Sequence, residues 1–421
     1  MKSKPNQKPA MHLHKRLQDV LLTPSNNVTG MDYFSFTFLK SYIYELFRGT
    51  LKHPKISILR MVARDGNEPV AVRPVSISDV QGQSSLLVLD ENIHLTMLFD
   101  NHSYEVILST FKGYDDVTSF TMQVMGLEND AKKSSRLIDE LERGSLLNSP
   151  FRNKIITISE NRNQAQSSSG LEIITIEPST LEDIFVPAET QKKLNLFVDC
   201  VKNFDKIKRP IRFLLSGKPG TGKTKIIRSI ANSIEGKATF IMANGSDMKM
   251  SRVFDFAKKF NPVVVCIDDV DLLVGSRDEN TTSNKLGRFL QYLDGFVESN
   301  IFILASTNDK NLVDAAASRP GRFDFIIDVQ SVSPTSYLDL IKNKTTSTKV
   351  LALFDESVIS ALESKKVTGA FIANLVNHLE LYDTLQPENL TKELVFDCIA
   401  EMYNGFYKQP VSSEKALGFA A

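Results

Sequence analysis

The spacing of hydrophobic positions changes along the chain and divides it into three parts. Up to about residue 176, short apolar runs separated by polar turns predict strands joined by hairpins, with helical spacing at 33–47 and at 130–143, where Gly144 ends the pattern. Between residues 177 and 331, nearly continuous apolar runs alternate with helical stretches. From Ser333 onward the spacing is helical throughout.

The middle part predicts a parallel sheet. Its apolar runs lie at 239–242, 263–267, 301–305 and 325–329. Strands buried on both faces of a parallel sheet have such runs, whereas strands with one solvated face alternate apolar and polar residues. We therefore predict an α/β fold with a parallel sheet and a helical lid, preceded by an α+β N-terminal domain.

These patterns predict five segments. They are a basic flexible arm at 1–30, an α+β domain at 31–176, a large α/β domain at 177–331, a small helical domain at 332–408 and a flexible tail at 409–421. In the arm, five Lys or Arg residues come before the first acidic residue, Asp19. Such an arm is either solvated and disordered or a binding segment, and the pattern favours the first.

Composition narrows the class of protein. Fifty Lys and Arg residues balance fifty Asp and Glu residues, so the overall charge gives no argument for a nucleic acid or an anionic membrane as partner. Three widely spaced cysteines favour a reducing, cytoplasmic setting. No apolar run reaches the roughly 20 residues of a bilayer span, and the N-terminus lacks the features of a signal peptide. We expect no transmembrane segment and a cytoplasmic location.

A glycine-rich loop between a predicted strand and a predicted helix carries the first chemical signal. It consists of Gly217, Lys218, Pro219, Gly220, Thr221, Gly222, Lys223 and Thr224, and Lys225 follows. The backbone N–H groups of such a loop can surround a polyphosphate, and the N-terminus of the helix adds positive potential. In this motif the lysine reaches the β- and γ-phosphates and the final hydroxyl ligates Mg²⁺. We predict a nucleoside triphosphate with Mg²⁺ in this loop.

A pair of carboxylates supplies the second signal. The apolar run 263–267 ends in Asp268 and Asp269. A carboxylate at the end of a buried strand is the usual partner of a phosphate-binding loop, because it helps to hold Mg²⁺. We assign that metal role to Asp268, together with Thr224, and expect Asp269 to polarise the attacking water.

With these motifs the chain resembles the AAA ATPases, ring-forming enzymes that remodel other proteins. The resemblance covers residues 178–405 and rests on further matches. These are Leu293-Asp294-Gly295, the strand end 306–309 called sensor one, the stretch 314–324 with Arg319-Pro320-Gly321-Arg322, the segment Asp183-Ile184, and the lid's helix start with Gly369 and Ala370. The Arg-Pro-Gly-Arg stretch separates this branch from DNA clamp loaders.

The resemblance implies roles for several of these residues. It makes ATP and Mg²⁺ the cofactors and places Asp183, Ile184, Gly369 and Ala370 beside the bound nucleotide. Asn308 would orient the water or the γ-phosphate. Arg319 and Arg322 would act as fingers in the neighbouring subunit's site, which implies a homo-oligomeric ring, a hexamer in this family. Protein clients would be the partners, and the N-terminal domain would select them.

Two departures from the family pattern bear on mechanism. Asp269 stands where the family has Glu, and one methylene fewer retracts the carboxylate by ~1.5 Å. Because such a misplacement can cost about a hundredfold in rate, we expect slow turnover. The pore loop, aromatic in the family, reads Met248, Lys249 and Met250 here. This favours a non-threading chaperone, similar to the mitochondrial AAA protein that handles the folded Rieske subunit and to its bacterial relatives.

Three functions follow, in order of preference. The first is an ATP-hydrolysing, ring-forming chaperone that remodels protein clients; the second is an ATP-gated oligomeric scaffold with little hydrolysis. A nucleic-acid motor is the third, disfavoured by the Arg-Pro-Gly-Arg stretch and the balanced charge. A fused zinc protease is not indicated, because the sequence has no His-Glu-x-x-His. His94, Asp100 and His102 match no metal motif and are expected on a surface hairpin.

Overall fold

The computed structural model describes residues 23–63, 72–76, 85–89, 92–112, 118–126, 131–158, 171–244, 250–273, 293, 300–308 and 322–407. The chain divides into two units. The first comprises Met1–Thr175 with Asp255–Phe260, and the second comprises Ile176–Phe254 with Asn261–Ala421. The division after residue 175 lies one residue from the domain boundary predicted at 176.

The first unit contains a five-stranded antiparallel sheet and two long helices. Its sheet has the strand order β1-β7-β6-β5-β2, and β3-β4 and β8-β9 form two further antiparallel pairs. The elements are β1 (Thr23–Met31), α1 (Tyr33–Arg48), β2 (Ile56–Ala63), β3 (Val72–Ser76), β4 (Ser85–Leu89), β5 (Ile93–Phe99), β6 (His102–Lys112), β7 (Thr118–Gly126), α2 (Ala131–Leu147), β8 (Ile155–Ile158) and β9 (Leu171–Ile173).

Helix α1 begins and ends at residues suited to those positions. The Asp32 side chain accepts hydrogen bonds from the N–H groups of Phe34 and Ser35, and Gly49 ends the helix in a left-handed conformation with φ of 77°. Leu39 and Ile43, one turn apart, are fully buried in the core of this unit. The amphipathic core helix predicted at 33–47 is confirmed.

The predicted end of α2 at Gly144 is wrong, since the helix continues to Leu147. Gly144 lies inside the helix against the ring of Tyr42 in α1. A Cβ built on Gly144 would lie 2.4 Å from the Tyr42 hydroxyl oxygen, far inside van der Waals contact. The glycine permits close approach of the two helices and does not stop the second one.

The flexible arm predicted at 1–30 also needs correction. Residues 23–31 form β1, which pairs antiparallel with β7 from Thr23↔Gly126 to Met31↔Phe120. The basic residues that suggested an arm all precede this strand and lie outside the described residues. Backbone pairing in a sheet outweighs the polar composition of Asn26 and Asn27.

The second unit contains a parallel sheet, as predicted, with the strand order β14-β10-β13-β12-β11. Its elements before the lid are α3 (Ala188–Lys202), α4 (Phe204–Ile207), β10 (Arg212–Ser216), α5 (Lys223–Ile234), β11 (Thr239–Asn244), α6 (Met250–Ala257), β12 (Val263–Asp268), β13 (Ile301–Thr307) and β14 (Phe325–Asp328). The residues of β10 and β13 are all buried, as the continuous apolar runs indicate.

The helical lid has its own core. It comprises α7 (Tyr337–Lys344), α8 (Thr348–Ala352), α9 (Glu356–Ser364), α10 (Gly369–Leu385) and α11 (Lys392–Tyr407). Asp355 caps α9, as predicted, and Thr368 caps α10 by accepting from the N–H of Phe371. The predicted fold class, α/β with a helical lid after an α+β region, is confirmed.

All three cysteines of the chain, Cys200, Cys266 and Cys398, are buried thiols. Burial raises the pKa of each, and the nearby carboxylate of Asp268 adds to the effect at Cys266. Among the described helices, none combines the length and apolarity that crossing a bilayer requires.

Candidate functional site

The glycine-rich loop joins β10 to α5 at the carboxyl end of the sheet. Gly220 and Gly222 have φ values of 79° and 101°, a region that suits glycine. A Cβ added at Gly217 would lie 2.4 Å from the carbonyl oxygen of Val329, so a larger residue would push the loop off β14. These glycines give the loop the tight curve that turns backbone N–H groups inward.

Lys223 is the first residue of α5, and its side chain turns back across the loop. Its Nζ donates to the carbonyl oxygens of Gly217 at 2.8 Å and Lys218 at 3.1 Å. It also donates to Oδ1 of Asn308 at 2.7 Å. Lys223 is only 5% exposed. The ammonium group is thereby fixed between the loop and the end of β13.

Asp268, the last residue of β12, connects the loop to the neighbouring strand β13. Thr224 Oγ1 donates to Asp268 Oδ2 at 3.0 Å, and Ser306 Oγ donates to Asp268 Oδ1 at 2.5 Å. The parallel register of β12 and β13, in which Ile267 pairs with Ala305, brings the two polar strand ends together. The hydroxyl and the carboxylate that the sequence assigned to the metal are therefore in contact.

Asp269 has a backbone conformation that is rare for residues other than glycine. Its φ is 51°, in the left-handed region, where Asp and Asn are enriched several-fold over other non-glycine residues. Its N–H donates to Ser306 Oγ at 2.9 Å, and its Oδ1 accepts from Asn308 Nδ2 at 3.1 Å. The short Asp side chain therefore suits the backbone at this position.

Burial and nearby charges shift the pKa values of Asp269 and Lys223 in this cluster. Burial, followed by the carboxylates of Asp268 and Asp271, raises the pKa of Asp269, and the Asn308 hydrogen bond partly offsets the rise. Burial lowers the pKa of the Lys223 ammonium, and these three acidic residues act in the opposite direction. The cluster is an electrostatically coupled group at one end of a cavity.

The cavity beside the loop has a volume of about 410 Å³ and reaches from this polar cluster to the lid. Asp183, Ile184, Gly369 and Ala370 all line it, as do the residues 219–225. Lys225 Nζ donates to the carbonyl oxygen of Asp183 at 2.8 Å, and the Ala370 N–H donates to the Gly220 carbonyl oxygen at 3.3 Å. The structure thus brings together the loop, the strand ends and the lid residues that the sequence singled out.

Sequence reasoning missed three residues of this site. Ser306 was noted only as part of the sensor-one match, yet it bonds both Asp268 and Asp269. Asp271 accepts two hydrogen bonds from Asn308, and Lys344 of the lid lines the cavity. The position of Asp271, two residues after Asp269, could have indicated its part in the site. Nothing in the sequence indicates Lys344, because only the fold brings it to the cavity.

The other predicted site residues divide into two groups. Arg319, Met248 and Lys249 lie outside the described residues. Met250 is the first residue of α6 and only 8% exposed, so its side chain is packed in the protein, and its place in a pore loop stays a prediction. Arg322 is 6% exposed, a burial that favours a role inside its own subunit.

The donor set fits the predicted cofactors. Mg²⁺ prefers hard oxygen ligands and retains several waters. Thr224, which lines the cavity, and Asp268, which accepts from Thr224 Oγ1, supply two such oxygen ligands. The Lys223 ammonium, now bonded to carbonyl and amide oxygens, is a group that can exchange those partners for phosphate oxygens. Lys223, Thr224 and Asp269, to which the sequence assigned the phosphates, the metal and the attacking water, all line the same cavity.

Comparison with known proteins agrees with this geometry. Residues 213–331 match the family model described as "ATPase family associated with various cellular activities (AAA)". This segment begins in β10 and ends three residues after β14. The chain therefore contains an AAA ATPase domain, and ATP with Mg²⁺ are the cofactors of that domain.

Curated relatives match about half of the chain. The chain is 33% identical over 230 residues to the ATP-dependent zinc metalloprotease FTSH 9 of Arabidopsis thaliana, which covers 49% of this chain and 28% of that protein. It is 29% identical over 262 residues to the ATP-dependent zinc metalloprotease FtsH of Thermobaculum terrenum, covering 56% and 40%. It is 30% identical over 220 residues to the i-AAA protease subunit YME1 of Saccharomyces cerevisiae, and this match covers 48% of this chain and 29% of that protein. The chain spans about a third of the length of these relatives.

Proposed function

We propose that this protein is a ring-forming ATPase that couples ATP binding and hydrolysis to the remodelling of protein clients. The observation that carries the proposal is the hydrogen-bonded path from Lys223 through Asn308 to Asp269, with Asp268 and Thr224 beside it. These side chains would meet the phosphates, the metal and the attacking water of a nucleoside triphosphate from one side. The geometry is of the kind that phosphoryl transfer needs, where positioning and charge stabilisation dominate.

Each residue of this path has a separate task in the proposal. The loop 217–224 binds the phosphates through its N–H groups, and Lys223 neutralises charge on the transferred group. Thr224 and Asp268 hold Mg²⁺, which neutralises negative charge on the phosphates when bound. Asp269 accepts a proton from the attacking water while Asn308 orients it, so a raised pKa brings this base closer to working pH.

Asp269 sets the expected speed of hydrolysis. The carboxylate of Asp269, on a left-handed backbone, reaches Asn308. The backbone conformation therefore compensates in part for the shorter reach of Asp compared with Glu. We propose turnover that is slow but measurable. The ATP-gated scaffold is the second candidate, and the retracted carboxylate is what favours it.

A finger in trans would make hydrolysis depend on assembly. Arg319 takes this role in the proposal, and Arg322, because it is buried, takes a structural role in its own subunit. The homo-oligomer is a hexameric ring by analogy with the AAA family. Ring formation predicts that ATPase activity per subunit rises with protein concentration.

Protein clients follow from the relatives, whose names describe ATP-dependent proteases. An energy-dependent protease acts on proteins, and residues 213–331 of this chain match the AAA family model. The 421 residues contain no His-Glu-x-x-His, so these residues supply remodelling without a zinc peptidase centre. The finer likeness to the mitochondrial chaperone of the Rieske subunit, and a cytoplasmic location, stay part of the proposal. So does client selection by residues 31–176.

Steady-state ATPase assays test the proposal directly. The full chain should hydrolyse MgATP, and Arg319→Ala mixed into wild type should lower turnover per wild-type subunit. Lys202→Ala, an exposed lysine in α3, is the control and should leave mixtures unchanged. A ring that binds ATP without measurable hydrolysis would support the scaffold, and unchanged turnover in the mixtures would exclude the finger.

An inactive-trap experiment tests the client. Asp269→Asn removes the charge but keeps a residue that tolerates the left-handed backbone, so the trapped protein should stay folded and bound to ATP. Purification from source cells with ATP should retain client proteins. Retention of its own subunits alone would contradict remodelling.

A further inference from the structure

Asp271 lies just beyond the predicted catalytic pair, in a one-turn 3-10 helix at Val270–Leu273 that follows β12. The motifs described above give it no role. Both of its carboxylate oxygens accept hydrogen bonds from a single residue of the next strand. The backbone N–H of Asn308 donates to Asp271 Oδ1 at 3.1 Å, and Asn308 Nδ2 donates to Asp271 Oδ2 at 3.3 Å.

This two-point contact fixes the side chain of Asn308. One bond holds the end of β13, and the other holds the amide nitrogen at the far end of the same residue. A side-chain amide has an oxygen that only accepts and a nitrogen that only donates, so its rotation decides which neighbours it can bond. With Nδ2 held toward the carboxylates of Asp269 and Asp271, Oδ1 is left facing Lys223 Nζ at 2.7 Å.

We infer that Asp271 is a positioning residue that sets the orientation of the Asn308 amide toward Asp269 and Lys223. The inference rests on the proposed hydrolytic role of those residues. Asp271 itself touches neither the water nor the phosphates in this proposal. It keeps the donor of Asn308 on the acidic side and the acceptor on the cationic side, so that the water-orienting group is arranged before ATP binds.

Loss of this contact should affect turnover more than binding. Without Asp271, Asn308 loses the partner of its backbone N–H and one of the two carboxylate partners of Nδ2, so its side chain can shift relative to Asp269 and Lys223. Misplacing a catalytic group by about 1 Å can cost roughly a hundredfold in rate. Neither hydrogen bond of Asp271 joins it to the loop 217–224, which would bind the phosphates.

The test uses three variants of the full chain: Asp271→Ala, Asn308→Ala and the double variant. We expect Asp271→Ala to lower kcat roughly 10- to 100-fold while the Kd for a fluorescent ADP analogue changes less than about threefold. Because Asp271 acts through Asn308, adding Asp271→Ala to Asn308→Ala should lower kcat no further. Asp205→Asn, an exposed aspartate in α4, is the control for a lost charge.

Two outcomes would overturn the inference. One is Asp271→Ala with kcat within about twofold of wild type; the other is full additivity of the two substitutions, which would give Asp271 an independent role. A lower melting temperature with unchanged kcat would show that Asp271 only stabilises the end of β13.

A structural readout separates this inference from the proposed function. If wild type hydrolyses no ATP, the proposed function fails, and the crystal structures of wild type and Asp271→Ala still decide the orientation of Asn308. The amide atoms should move or rotate in the variant. An Asn308 side chain in the same place with the same partners would refute positioning by Asp271.

Discussion

Two polar clusters, one in each unit, join neighbouring strands in different ways. In the first unit, Glu105 of β6 is 8% exposed and accepts from Thr96 Oγ1 at 2.8 Å, and His94 Nε2 lies 2.7 Å from its second oxygen. In the second unit, Asp269 and Asn308 meet at the ends of β12 and β13.

The positions of the clusters within their sheets explain the difference. Thr96 and Glu105 are directly paired in the middle of an antiparallel ladder, with residues of both strands continuing on either side. Asp269 and Asn308 follow the last residues of parallel strands, where the ladder ends beside a cavity. Parallel strands place all their carboxyl ends on one edge, so polar residues there can face a ligand. The mid-sheet cluster joins two strands within the ladder and lines no such edge.

The largest effect is expected at the strand-end cluster. Lys223→Ala removes an ammonium group bonded to the loop and to Asn308, and hydrogen bonds to charged groups contribute about 1.5–3 kcal/mol each. We expect ATP affinity to fall roughly 10- to 100-fold in titrations with a fluorescent nucleotide. Lys202→Ala is the matched control. An unchanged Kd would mean that this cluster does not face the nucleotide.

The backbone at residue 269 gives a second test. Asp269→Glu restores the length that the AAA family uses, but it places a longer side chain at φ of 51°, and left-handed backbone costs about 1–2 kcal/mol for most residues. We expect lower thermal stability and no gain in turnover. Asp100→Glu is the control, because Asp100 has φ of 46° in the β5–β6 turn, outside the site. A large rise in turnover would show that carboxylate length matters more than backbone fit.

The mid-sheet cluster should respond in stability alone. Glu105→Gln replaces a buried carboxylate that accepts from Thr96 and faces His94 with a neutral amide, of which one half only donates, at a cost of about 1–2 kcal/mol. Faster hydrogen exchange in β5 and β6 would report this loss, whereas nucleotide affinity should not change. Glu172→Gln, exposed in β9, is the control. A change in ATP affinity would contradict a purely structural cluster.

The smallest effect concerns pH and the cap of α1. Burial alone would raise the pKa of Asp32, but the hydrogen bond and charge of Lys259, with the bonds from Ser35, outweigh it and lower that pKa. A lowered pKa adds stability that is present above the unfolded value of about 3.9 and is lost as pH falls through the folded value. Because Asp32 is partly exposed, we expect less than about 1 kcal/mol.

Asp32→Asn isolates this charge, because Asn is also a good N-cap. The variant should be slightly less stable than wild type at pH 7, and the difference should be smaller at pH 3, below the unfolded value of about 3.9. Denaturant unfolding followed at both pH values measures it, with Asp139→Asn, exposed in α2, as control. A difference that grows as pH falls would reverse the assigned sign.

The nucleotide site could be predicted further than the rest because its chemistry is local in sequence. Eight consecutive residues form the phosphate loop, and Asp268 follows an apolar strand. Asp271 and Ser306 were missed because their importance depends on register between β12 and β13. The left-handed backbone of Asp269 also has no signal in composition or spacing.

In the first unit, the sequence predicted elements but not their contacts. Alternating apolar residues indicated the strands, whereas the pairing of β1 with β7 depends on long-range register. The low helix propensity of glycine predicts a helix end at Gly144, and tertiary packing against Tyr42 overrides that propensity. A polar residue such as Glu105 gives no sign, in one sequence, of whether it will be buried.

The buried cysteines make thiol chemistry a probe of local opening. Alkylating reagents need an exposed thiolate, and Cys200, Cys266 and Cys398 are enclosed and have raised pKa values. Each can react only when its own part of the protein opens. The labelling rate of Cys266 would therefore report opening of the sheet, and that of Cys398 would report opening of the lid. A nucleotide that binds the folded site should slow both reactions, and the ratio of the two rates would show which part it stabilises more.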